Sequence, residues 1–74
     1  MRPRRVVRFS RHARDEMEEA NATEEDVRHA LAHAARCDAQ PKDTWLVHGV
    51  DRDGVELQVV VVFSDPGLFV ITVF

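Results

Sequence analysis

The sequence predicts an α+β domain in the order β-α-α-β-β-β, with two short helices packed on an antiparallel sheet of three to four strands. Two observations carry this. Ser10 and Thr23 each stand at the head of a segment whose apolar residues recur at helical spacing. From Thr44 onward the spacing becomes strand-like and is cut by two turn signals, DRDG at Asp51–Gly54 and SDPG at Ser64–Gly67.

The elements follow in order. Arg4–Phe9 (RRVVRF) is short, partly β-branched and preceded by Pro3, which predicts a strand. Ser10 ends it and caps a first helix, whose apolar stripe is Ala13, Met17 and Ala20 at i, i+4 and i+7. Asn21 stops that helix, because asparagine tolerates the left-handed conformation of a helix end. Thr23 opens a second helix with Glu24, Glu25 and Asp26 in its first turn, where the helix dipole favours negative charge. Val27, Ala30, Leu31 and Ala34 form its buried stripe, and Asp38–Asp43, which holds Pro41, reads as a loop. Thr44–Val50 and Val55–Phe63 form a hairpin about the DRDG turn, and Leu68–Phe74 adds a third strand after SDPG. Val59–Phe63 is apolar at every position, which predicts a central strand.

Composition bounds the function classes. With 74 residues the chain supports one hydrophobic core, so a single domain over residues 1–74 is expected. At 45% hydrophobic and 31% charged residues it is globular rather than disordered. The single cysteine, Cys37, excludes an internal disulfide framework and fits a reducing, cytoplasmic setting. Four arginines lie between Met1 and Arg8 without a following apolar run of signal length, and no stretch has the length of a membrane span; neither export nor a membrane partner is expected. The basic N-terminus, from Arg2 to Arg14, sits on a chain of net charge −3, a local patch able to touch phosphate rather than a general nucleic-acid surface.

The segment SRHARDEM, followed by TEEDV, then TWLVHGVDRDGVELQVVVVF and a terminal ITVF, resembles the bacterial domain-of-unknown-function family numbered four-two-five-eight. Its most specific parts are Ser10, His12, Ala13 and Met17 near the first helix and Gly49, Asp51 and Gly54 about the hairpin. That family is taken as kin to the RelE and MqsR messenger-RNA-cleaving toxins of type II toxin-antitoxin systems. The resemblance implies a RelE-like fold, metal-independent endoribonuclease activity without a cofactor, RNA or the ribosome as target, and pairing with a small zinc-finger antitoxin of the MqsA kind.

Cleaving RNA without a metal uses the ribose 2′-hydroxyl as nucleophile, so a base, an acid and positive groups around the phosphate are required. His12 is the first catalytic candidate, since a helix start attracts phosphate and keeps imidazole neutral. Arg11 and Arg14 flank it and suit phosphate binding. The competing expectation for His12 is a structural hydrogen bond to Glu16, one turn on. His48 and Gln58 lie on facing strands of the hairpin. If Trp45 and Val47 point to the helices, both His48 and Gln58 belong to the open face, where they would assist catalysis; ordinary alternation of polar residues explains them equally well. Trp45 is a candidate base-stacking residue, against the commoner role of a rim or core tryptophan. His29, His33 and Cys37 fall at i, i+4 and i+8, a spacing compatible with zinc, but Cys37 falls where the helix is ending and no metal site is expected. The rival to a nuclease is a non-catalytic protein-binding or homodimerising module that uses a strand edge or an apolar face.

Overall fold

The computed structural model describes residues 6–64 and 67–74. Strand β1 (Val7–Phe9) leads into helices α1 (Arg11–Glu19) and α2 (Glu24–Ala32), followed by β2 (Arg36–Gln40), β3 (Thr44–Val50), β4 (Glu56–Ser64) and β5 (Gly67–Val73). Arg4 and Arg5 of the expected first strand, and the middle of the SDPG turn, lie outside the described residues. Among those residues no helix is long and apolar enough to cross a membrane.

Both helices start as their caps dictate. Ser10 Oγ accepts the Ala13 N–H at 3.0 Å. Thr23 and Asp26 exchange hydrogen bonds at 3.1 and 3.0 Å, a reciprocal capping box that satisfies two otherwise orphaned donors. Asn21 takes the left-handed conformation, φ 55°, just past α1. Ala13 and Met17 are buried as expected, but Ala20 is the exposed C-cap. In α2, Val27 and Ala30 are buried and Leu31 half-buried, whereas Ala34 lies beyond the helix end and is exposed.

The sheet has five strands in the order β1-β5-β4-β3-β2, one more than the upper expectation, and it is mixed. β1 runs parallel to β5 and every other neighbouring pair is antiparallel. β4 occupies the centre, as its doubly apolar run predicted. The expected loop over Asp38–Asp43 is corrected: Arg36–Gln40 is an edge strand paired residue for residue with β3. It carries no β-branched residue and is exposed nearly throughout, so neither alternation nor propensity marked it. The β2–β3 connection is a tight turn at Pro41–Asp43, in which Lys42 and Asp43 take φ 64° and 60° and the Thr44 hydroxyl donates to the Pro41 carbonyl.

The core lies between the helices and one sheet face, with Val27, Val59, Val70 and Val73 fully buried. Each such side chain contributes roughly 1.5–3 kcal/mol. α2 crosses β3 so closely that a Cβ at Gly49 would collide with the backbone carbonyl of Ala30. α1 closes the free edge of β5 where β1 stops. The Ser10 N–H donates to the Val70 carbonyl and its hydroxyl to that of Ile71, both at 2.8 Å, while Glu16 Oε1 accepts the Val73 N–H at 3.1 Å. These bonds bracket an irregularity at which Val60 opposes Thr72 but Val61 opposes Val70, leaving Ile71 as the extra residue.

Candidate functional site

Alternation along β3 sends Val47 and Gly49 into the core and leaves Leu46, His48 and Val50 half-buried on the open face. Register then builds rows across that face. Arg36, His48 and Gln58 lie directly opposite one another on β2, β3 and β4. The next row holds Asp38, Leu46, Val60 and Thr72; the one after it holds Gln40, Thr44, Val62, Phe69 and Arg8.

Asp38 ties the first row together. Its Oδ1 accepts the Arg36 Nε–H at 3.0 Å and its Oδ2 lies 3.1 Å from His48 Nε2. The Arg36 hydrogen bond, followed by the contact with His48, holds the Asp38 carboxyl below its ordinary range against the opposing effect of partial burial. An ionised carboxylate only accepts, so neutral His48 carries its proton on Nε2 and leaves the Nδ1 lone pair available. The result is an imidazole fixed in tautomer and orientation, with a carboxamide opposite it and a guanidinium on its other side. Arg36 and Asp38 were not legible as site residues, because the segment holding them reads as a helix tail and a loop.

The candidates at the start of α1 do not join this group. His12 Nε2 lies 3.2 Å from Glu16 Oε1, and the His12 side chain is 68% exposed. That is the structural contact weighed above. The Arg14 guanidinium stands 5.3 Å from the centroid of the Phe9 ring and 3.6 Å from Glu24, and Arg11 is exposed. Because α1 packs its buried face against the core side of the sheet, the sheet separates His12, Arg11 and Arg14 from His48 and Gln58.

Trp45 also faces the helix side. It walls a groove of about 740 Å³ between α2 and the sheet, floored by Val47, Val61 and Leu68 and flanked by Phe63. Phe63 is 67% exposed and Trp45 37%. His29 and His33 stand on the groove's rim with ring centroids 4.4 Å apart, and His29 Nδ1 donates to the Val50 carbonyl at 2.9 Å. Among the described residues no three His, Cys, Asp or Glu side chains gather as a metal site, so the spacing of His29, His33 and Cys37 does not translate into a ligand set.

A further clasp links the hairpin to α2. Arg52, in the β3–β4 turn, donates through Nε to Asp26 Oδ1 at 3.1 Å. The Thr23 backbone N–H and the Arg52 guanidinium together lower the Asp26 carboxyl to about 2. This clasp positions the hairpin that carries His48 and Gln58.

A family model described as a domain of unknown function, DUF4258, matches residues 9–74. No curated protein and no solved structure gives a match.

Proposed function

The chain belongs to the DUF4258 family, and we propose that it acts as a type II toxin-like endoribonuclease on messenger RNA, using the open face of its sheet. The observation that carries this reading is the Arg36–Asp38–His48 network with Gln58 directly across from His48. In this reading His48 Nδ1 takes the proton of the ribose 2′-hydroxyl, and Asp38 stabilises the imidazolium that forms. The Gln58 carboxamide donates to a phosphate oxygen, and the 2′-oxygen attacks phosphorus to give a 2′,3′-cyclic phosphate as the P–O5′ bond breaks, the 5′-oxygen taking its proton from solvent water. The resemblance to RelE and MqsR toxins supplies the reaction class, and an antitoxin of the MqsA kind is the proposed partner.

The helix-face groove favours a second role, in which the domain binds a partner protein. Its floor is aliphatic, its walls are the exposed rings of Trp45 and Phe63, and its charged groups stand at the rim. Aromatic walls about an apolar floor suit an amphipathic segment that inserts large apolar side chains. Such a segment from the antitoxin leaves the open face unobstructed, so the two roles are compatible.

Controlled expression in a bacterial host separates the readings. Wild type is expected to arrest growth and cleave messenger RNA. His48→Ala should lose cleavage by roughly 10²–10⁴-fold, the worth of a general base, while His12→Ala at matched protein level keeps it. Purified protein should cleave equally well in a chelator. A folded wild type that leaves growth and RNA intact ends the nuclease reading and leaves the groove-binding one; loss in His12→Ala alone moves the site to α1.

A further inference from the structure

We propose that single-stranded RNA crosses the open face diagonally, away from the His48–Gln58 row, and that it stacks a base on Phe69 and sets a phosphate on Arg8. This inference rests on the nuclease reading and adds to it the path and the anchoring residues.

Register places the second anchor. Phe69 lies directly between Val62 of β4 and Arg8 of β1, two rows from Gln58 on the same face. The four residues from Gln58 to Val62 span roughly 13 Å along β4, and β1 stands three strand spacings from β3, about 14 Å across. Half-buried Leu46, Val60 and Val62 pave the ground between, and none of them carries charge. Asp38 stands at the β2 end of that middle row and Thr72 at its β5 end, so the apolar ground is the stretch of β3 and β4 between them, a spacing suited to a short single strand with one base set on a ring.

Charge fixes the direction. Arg36, Arg14 and Arg52 are each held by a carboxylate, Asp38, Glu24 and Asp26 respectively. Arg8 instead donates to the neutral Ser64 hydroxyl at 3.1 Å, and among the described residues no ion pair holds it. It is exposed, so its guanidinium has charge and donors to offer a phosphate. At the other end Glu56 precedes Gln58 by two residues and shares its face, opposite Val50, so it repels a backbone running that way. Trp45, the other candidate for base stacking, lies on the opposite side of the sheet.

The test uses the full chain and a fluorescein-labelled, single-stranded 2′-O-methyl RNA, which keeps bases and phosphates but lacks the reacting hydroxyl. Fluorescence anisotropy should show binding by wild type. Phe69→Leu, which keeps an apolar side chain but removes the ring, should weaken it about tenfold, within the range of one base–aromatic stack. Arg8→Ala should weaken binding across RNA sequences and reduce the salt dependence by about one phosphate contact. Trp45→Phe should bind as wild type does. If wild type cleaves RNA but folded Phe69→Leu and Arg8→Ala bind as tightly as wild type, the path is wrong and the nuclease reading stands. If wild type neither binds this RNA nor cleaves an unmodified one, both fall together.

Discussion

The two faces of the sheet come from the same strands by simple alternation, yet they are built to opposite rules. The helix face is aliphatic where it is covered, and it tolerates so little slack that Gly49 is required where α2 passes. The open face mixes half-buried valines with the Gln58 carboxamide and with a carboxylate, an imidazole and a guanidinium that hydrogen bonds hold together. Close packing is concentrated on one face and titratable, hydrogen-bonding groups on the other. Under the proposed function, substitutions on the open face should therefore change RNA cleavage while leaving the fold intact, and those on the covered face should chiefly lower stability.

Gly49→Ala offers the largest contrast. The added methyl has to push against the Ala30 backbone, which belongs to a helix and cannot swing aside as a side chain would. A loss of about 2–3 kcal/mol is expected, the range of overpacking in a tight core. Val60→Thr, on the open face of the central strand, should cost no more than about 1 kcal/mol, because its hydroxyl can reach water. Urea denaturation of the two variants compares the faces directly. Equal losses would break the division of labour.

How far the fold was legible follows the same physics. Helix caps at Ser10 and Thr23, the left-handed stop at Asn21 and the change of period at Thr44 are local signals, and the elements they announce are present. That His48 and Gln58 stand on facing strands was legible too, from the DRDG turn between them; their direct opposition comes from the register of the hairpin. β2 was not, because its residues owe their extended form to pairing with β3, a non-local cause. With β2 hidden, Asp38 and Arg36 could not be placed beside His48. The parallel pairing of β1 with β5 has no local signature either: alternation says which residues face the core but not which strand lies alongside. His12 was singled out for its residue type at a helix start, while the same helix supplies Glu16, one turn on, to hold it.

Acid unfolding sharpens the comparison, since among the described residues each side of the sheet has one carboxylate with a lowered pKa. Asp26 is held near 2 against an ordinary value of 3.8, chiefly by the Thr23 backbone N–H and then by Arg52. Asp38 is lowered in the same direction, chiefly by Arg36. A carboxyl whose folded pKa is depressed stabilises the fold fully above its unfolded value, and that contribution is lost as pH falls through the folded one. The melting temperature should accordingly fall as pH drops from about 4 toward 2. Asp26→Asn should flatten this dependence more than Asp38→Asn, because Asp26 clasps α2 to the hairpin whereas Asp38 ties down an edge strand. The reverse order would mean that the open-face network carries more of the fold than its position suggests.

The smallest effect is expected at the turn that carries the open face's outer strand. Lys42 takes φ 64°, where a side chain costs roughly 1–2 kcal/mol relative to glycine, while glycine there loses about 0.5–1 kcal/mol through the freedom it gains when unfolded. Lys42→Gly should therefore stabilise the protein by about 0.5 kcal/mol. The gain should appear locally, as slower hydrogen exchange at the amides of Asp38 and Gln40, the β2 residues opposite Leu46 and Thr44, with that of central Val59 unchanged, since an edge strand opens without unfolding the core. If β2 exchange does not respond, the strand is held by the Asp38–His48 and Arg36–Asp38 bonds rather than by its turn. The edge and the site would then be one structure, and Asp38→Asn would loosen both.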